Sequence, residues 1–240
     1  MTSPRAAVDI EGNIDKFLED VKPLRRDASF DYCFSHFQRF REENRISDLA
    51  KVEHLQESCL QLGFYLASFG MLRPSSFLFD KSVKIYEPVI QLIADQPRCF
   101  WEIDAHAYTA ENIPCLIDFG QRLKDSLRDF RETFNDLGHE AASDTLVTKI
   151  MLGVFGNVPA FDTYFLRGFR REFRQHGCGT FGEQSLEAIG GFYIRNKDVI
   201  ESCRKDMRTI DFNTGRKTLL LYSRARVIDM IFFTEGSRDP

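Results

Sequence analysis

Between Val147 and Arg167 the chain reads as an apolar helix, a break built around Gly156, Asn157 and Pro159, and an aspartate, Asp162, that opens a second helix carrying arginines. No other stretch constrains the fold or the chemistry as tightly. Pro159 disfavours helical geometry in the residue before it, so the chain is expected to be extended or turning at Asn157-Val158 and to restart as helix at or beside Asp162. As an N-cap or first-turn residue, Asp162 would accept hydrogen bonds from unpaired backbone N–H groups and sit at the positive end of the helix dipole. A carboxylate fixed in that way can orient a water or steady a cation. The ordinary reading is a capping aspartate and no more.

Two further features weigh on that choice. Arg167, Arg170, Arg171 and Arg174 fall at i, i+3, i+4 and i+7, the spacing of one helical face, with Leu166, Phe169 and Phe173 on another. Four guanidiniums on one side suit phosphates, although a solvated basic face has the same pattern. Lys149 interrupts the apolar helix between Thr148 and Ile150, where an ammonium is expensive to bury without a partner. It either faces the cleft as a second candidate catalytic residue beside Asp162 or reaches solvent along its stem.

In Leu152-Gly153, Gly156, Pro159 and Asp162, followed by Arg167, the segment resembles the helix-hairpin-helix DNA glycosylases, in which a helix, a Gly-containing break and a proline precede the catalytic aspartate. The resemblance implies a mainly helical, all-α, two-lobed fold with a cleft between lobes. It also implies that Asp162 stabilises the positive charge that grows on the sugar as the glycosidic bond breaks. Two departures accompany it. The segment Leu137-Gly138-His139-Glu140-Ala141-Ala142-Ser143-Asp144 keeps one glycine where the family's hairpin has a pair, so a degenerate hairpin is expected near 137–145, with Ser143 among the DNA contacts. Members with lyase activity carry a Schiff-base lysine upstream, in the window that here reads Ala142-Ser143-Asp144, and Lys149 lies too near Asp162 in sequence to match it. The implied enzyme is monofunctional: water attacks, and an intact abasic site is left.

The chain as a whole can carry such a fold. Its 240 residues, 43% hydrophobic, suffice for one sizeable domain, expected over 13–235 with loose ends at 1–12 and 236–240. Apolar stripes at Ile14–Val21 and Phe30–Phe40, over Leu55–Phe69, Val83–Ile93 and Ile113–Phe134, and through Tyr193–Ile200 to Leu219–Phe233, predict helices. Leu219 to Tyr222 is the one serious strand candidate. The six cysteines and five histidines are dispersed, so neither a disulfide scaffold, a metal centre nor any other cofactor is expected. No apolar run is long enough to span a membrane and no signal-peptide core is seen, which makes the cytoplasm the expected compartment. A net charge of −4 leaves DNA binding to a local basic face.

A second informative stretch runs from Gly63 to Phe77. An aromatic-rich helix ends at Gly70-Met71-Leu72-Arg73, and Pro74 with Ser75 or Ser76 as cap is expected to begin a new helix. By the resemblance Arg73 would wedge into the duplex or hold a phosphate, with Ser75 and Ser76 donating to phosphate oxygens. Trp101, Phe161 and Tyr164 are the aromatics expected to line a pocket for an extruded base. Three functions follow: a monofunctional glycosylase acting on a modified or damaged base in DNA, in one version a hypermodified phage base such as glucosylated hydroxymethylcytosine; a non-catalytic nucleic-acid or nucleotide-binding module; and a helical partner-binding protein. No obligatory protein partner is evident.

Overall fold

A computed structural model describes residues 8–134, 141–173 and 178–238. The molecule is mainly helical: α1 (Ile10–Leu18), α2 (Ala28–Glu42), α3 (Val52–Ser68), α4 (Glu87–Ala94), α5 (Arg98–Trp101), α6 (Asn112–Thr133), α7 (Asp144–Phe155), α8 (Thr163–Glu172), α9 (Glu183–Arg195), α10 (Lys197–Arg204) and α11 (Arg224–Ser237). Short 3-10 turns and one two-stranded antiparallel hairpin, β1 (Arg208–Ile210) with β2 (Lys217–Leu221), complete it. The strand expected at Leu219–Tyr222 is β2, shifted by a residue or two. Its partner β1 is too short to show an alternating pattern.

The core is built around α7. Every residue from Leu146 to Phe155 is buried, because α2, α3 and α6 pack on it from different sides. A helix that is apolar all round belongs inside a domain, and from Leu146 to Phe155 the sequence is just that apart from Thr148 and Lys149. Ser143 caps its start, the hydroxyl accepting from the Leu146 N–H. Gly156 ends it in the left-handed conformation, at φ 67°, where a side chain is disfavoured and would also run into Phe34 and Ser223.

The second packing unit is α8 against α11, the most intimate helix pair of the molecule. Its closeness has a plain cause. Gly168 on α8 faces the Phe232 carbonyl, and Gly236 on α11 faces the Tyr164 carbonyl, so a Cβ on either would collide with the other helix's backbone. The phenylalanines Phe165, Phe169 and Phe232 close the seam, with ring centroids 5.5 to 5.8 Å apart. The chain ends differ from expectation: α1 begins at Ile10 and α11 continues to Ser237, both inside stretches expected to be loose. Asp9 caps α1, and Ile10 and Ile14 are buried, which ties this end down. The expected hairpin near 137–145 lies partly outside the described residues, and from Asp144 onward the chain is already α7. No helix of the described residues is long and apolar enough to cross a membrane.

The β-hairpin is fastened to α2 through one buried carboxyl. Asp31 accepts from the Tyr222 hydroxyl at 2.7 Å and from the Ile210 N–H at 2.9 Å. Burial raises this carboxyl to about 7, against the lowering effect of those two bonds and of Arg226.

Two outcomes follow. Gly168→Ala should destabilise the protein by about 2 kcal/mol or more, since the added methyl meets rigid backbone, and an unchanged urea midpoint would contradict the packing described. For Asp31, the folded protein holds a proton that the unfolded chain has released above 3.8. Its contribution to stability is therefore full below that value and is lost as pH rises through about 7. The difference in unfolding free energy between wild type and Asp31→Asn should fall across that window. Taking the difference cancels His36, whose imidazole burial pushes down to about 4 and which acts in the opposite sense. A pH-independent difference would contradict the assignment.

Candidate active site

The segment from Gly156 to Asp162 crosses the core between α7 and α8, and each of its turns is pinned. The Tyr108 hydroxyl donates to the Asn157 carbonyl at 2.6 Å, and the Ala160 N–H donates to Asp229 at 2.9 Å. The Phe161 N–H donates to the Thr148 hydroxyl, while its carbonyl accepts from Thr145. A buried non-helical segment needs such partners for its backbone, and here α7, α11 and Tyr108 supply them. The result fixes where α8 can start. Asp162 is its N-cap, in extended geometry, with Oδ1 accepting from the Tyr164 and Phe165 N–H groups at 3.1 and 3.0 Å.

Lys149 reaches the same point from inside the core. Its Nζ donates to the Phe69 carbonyl at 2.7 Å, at the C-terminal end of α3, and lies 3.4 Å from Oδ2 of Asp162. The two side chains are 7% and 16% exposed, so the pair meets in a mostly dry setting. One ammonium thus joins the negative end of one helix to the capping carboxylate of another. Asp162 has one oxygen committed to backbone and the other toward the ammonium, interactions suited to a carboxylate.

Both residues line a cavity of about 210 Å³. Its walls are aromatic: Tyr65, Phe69, Tyr164 and Phe233, with Phe17 opposite. Tyr65 can lie flat against α7 because position 153 is glycine and leaves room for its ring. At the deep end stand Arg226 and Asp229, an ion pair with Nη1 to Oδ2 at 2.6 Å and side chains 3% and 5% exposed. Burial raises the Asp229 carboxyl to about 6, although Arg226 and the Ala160 N–H pull it down. Arg26, Asp27 and Arg73 also border the cavity.

Of the residues singled out in the sequence, Asp162, Lys149, Tyr164 and Arg73 meet at this cavity. Others are elsewhere. Phe161 turns into the core, 1% exposed and against Phe165 and Phe181, because the crossover needs an apolar anchor there. Trp101 is 1% exposed and packs edge-on to Phe155 at 4.5 Å, bordering a separate cavity with Arg41 and His106. Neither lines the cavity beside Asp162. Ser143 serves as the cap of α7. After Arg73 the chain makes turns rather than the expected helix. The Ser76 hydroxyl accepts from the Leu78 N–H, Ser75 is exposed, and helix returns only as a 3-10 turn at Val83.

The arginines of α8 are engaged by protein. Arg171 donates to the Glu235 carbonyl at 2.6 Å, Arg167 to the Gly236 carbonyl at 3.3 Å and Arg170 to the Gly179 carbonyl at 3.3 Å. Two of these carbonyls end α11, where the last turn lacks intrahelical donors and carries the negative end of the dipole. Arg167 and Arg170 stay exposed, while Arg174 lies outside the described residues. Sequence reasoning missed Tyr65, Phe69, Arg226 and Asp229. The last two carried a usable signal, since charged residues three apart in the apolar run Val227–Phe233 and its flank need a partner as much as Lys149 does.

Among the described residues no group of His, Cys, Asp or Glu is placed to hold a metal ion, and none of the six cysteines is paired. No protein-family model matches the chain, and no curated protein or solved structure matches it.

Removing the ammonium should be felt at three helices at once. Lys149→Met strands the Phe69 carbonyl and leaves Asp162 without its counter-charge. The expected loss is about 2 to 3 kcal/mol, below the value for a fully buried pair because Asp162 keeps some water. Chemical denaturation measures it, and a loss under about 0.5 kcal/mol, the size of an ordinary surface substitution, would show that the pair does not hold the site.

Proposed function

We propose that this chain is a monofunctional DNA glycosylase of two-lobed, helix-hairpin-helix type, which draws a modified or damaged base out of DNA and hydrolyses its N-glycosidic bond. The observation that carries the reading is the Lys149–Asp162 pair at the edge of an aromatic-walled cavity. Such a cavity accepts a flat apolar ring, and at about 210 Å³ it lies below the roughly 300 Å³ at which pockets for drug-sized ligands begin.

In this scheme the extruded base enters between Phe69 and Tyr164, which leaves its deoxyribose beside Asp162. As the bond from C1′ to the base nitrogen lengthens, its electron pair goes to the base and positive charge develops on the sugar. The Asp162 carboxylate, fixed before the reaction begins, stabilises that charge. Water then bonds to C1′ and its proton is lost, by way of Asp162, to solvent or to the departing base. Lys149 acts as a positioning residue. Its three donors are shared between the Phe69 carbonyl and Asp162, which keeps the carboxylate aimed. Arg73 and the exposed faces of Arg167 and Arg170 are the candidate phosphate contacts, with Ser75 and Ser76 beside Arg73. A hypermodified phage base such as glucosylated hydroxymethylcytosine, the version tied to a defence role, would leave its glucose outside this cavity and is to be tested beside damaged bases of ordinary size.

The test uses genomic DNA, unmodified and phage-modified, incubated with the protein and then with an abasic-site endonuclease. Strand breaks should appear only after the endonuclease. Asp162→Asn, checked for an unchanged circular dichroism spectrum, should lower their rate by about a hundredfold or more. Full base release by Asp162→Asn would sink the mechanism.

A further inference from the structure

Tyr65 stands in the cavity wall with a hydroxyl that the protein leaves unused. The residue is 1% exposed, yet its hydroxyl makes no hydrogen bond among the described residues and is not one of the unpartnered polar atoms sealed off from solvent. The little surface that Tyr65 keeps therefore includes this oxygen, and the cavity is what Tyr65 lines. Tyr222, buried to the same degree, gives its hydroxyl to Asp31 at 2.7 Å, as buried tyrosines usually do. Near Tyr65 the acceptors are already engaged: Asp229 takes the Ala160 N–H and Arg226, and Asp162 takes two backbone N–H groups and faces Lys149.

The ring is held in place. It lies against Gly153, where a Cβ would collide with it, and its centroid is 5.0 Å from that of Phe69 and 6.1 Å from that of Phe30. Burial pushes the Tyr65 hydroxyl well above the usual tyrosine range; Arg226 opposes this, while Asp229 and Asp162 add to it, and all three border the same cavity. The group therefore keeps its proton and is a fixed donor in the wall. We propose that Tyr65 is a second catalytic residue, whose hydroxyl donates a hydrogen bond to the base as it departs while Asp162 stabilises the sugar. This rests on the glycosylase reading for the reaction. Tyr65 stands one helical turn before Phe69 on α3, so a base stacked on Phe69 brings an edge to the hydroxyl. As the bond from C1′ breaks, its electron pair spreads over the ring nitrogens and carbonyl oxygens of the base, which become stronger acceptors. The hydrogen bond is thus stronger in the transition state than in the bound substrate, the condition for it to raise the rate. The proton stays on Tyr65, and the base takes its hydrogen from the attacking water by way of Asp162 or from solvent. Cytosine-derived and purine bases both carry an acceptor beside the glycosidic nitrogen, so the contact serves either.

Tyr65→Phe removes the hydroxyl and keeps the ring. Because the hydroxyl has no protein partner, the variant should unfold at the same urea midpoint as wild type or a higher one. In single-turnover base release from phage-modified or oxidatively damaged genomic DNA, its rate at saturating protein should fall about tenfold to a hundredfold, the scale of a hydrogen bond to a charged group. The protein concentration giving half the maximal rate should change less than about threefold, since the bond matters mainly in the transition state. A maximal rate within about twofold of wild type, or a loss confined to DNA affinity, overturns the inference and leaves the glycosylase reading standing. A lower urea midpoint, or a variant that does not fold, shows the hydroxyl to be structural and overturns it too. No base release by wild type from either DNA removes the glycosylase reading and this inference with it.

Discussion

One buried ammonium decides how the two halves of the site meet. Lys149 sits on a helix that is buried on every side, where an unpaired charge is not tolerated. Its two partners come from elements far apart in sequence, the end of α3 at Phe69 and the start of α8 at Asp162. A neutral side chain at 149 would leave those helix ends unconnected and the Asp162 carboxylate without its counter-charge. The pair taken whole is weaker evidence for stability than for placement, since replacing both partners of a buried ion pair by apolar groups often costs little.

The remaining architecture can be understood as what keeps that meeting point in place. The crossover from Gly156 to Asp162 is held by side chains from α7 and α11 and by Tyr108, so the N-cap cannot drift along the surface. The glycine-mediated contact of α8 with α11 fixes the axis of the helix whose dipole Asp162 caps. The same α11 carries Arg226 and Asp229 under the cavity, and Asp229 holds Ala160 two residues before Asp162. Position, electrostatics and cavity shape are thereby set by a single group of contacts. The arginines of α8 belong to it as well, bonded to the carbonyls at the end of α11.

Much of this was legible in the sequence where local physics dominates. Pro159 and Asp162 marked the break and the restart, and the apolar periodicities located most helices. The cap at Asp162 was legible because N-capping depends on residues within three positions. Which aromatics face the cavity was not legible, since Phe161 ends the crossover and Tyr164 lies in the first turn of α8, and only tertiary contacts decide which of them turns to the cavity. Trp101 was misplaced for the same reason: nothing local to it says that it packs on Phe155 of α7. The arginine stripe was found, but its use was not, because the carbonyls that engage it belong to a helix some seventy residues away. Lys149 shows the opposite case. Its distance along the chain from Asp162 differs from that of the Schiff-base lysine in helix-hairpin-helix glycosylases, yet the cost of burying its charge pointed to a partner, and that partner is Asp162.

The proposed activity rests on one geometric claim, that an extruded nucleotide places its sugar against Asp162 and its base in the aromatic cavity above Arg226. A structure of the protein with duplex DNA carrying an abasic-site analogue tests it most directly. The account predicts the analogue's sugar ring against the Asp162 carboxylate, the cavity open beyond it, and Arg73 at the DNA surface. DNA bound on another face, with Asp162 and Lys149 remote from the backbone, would contradict it.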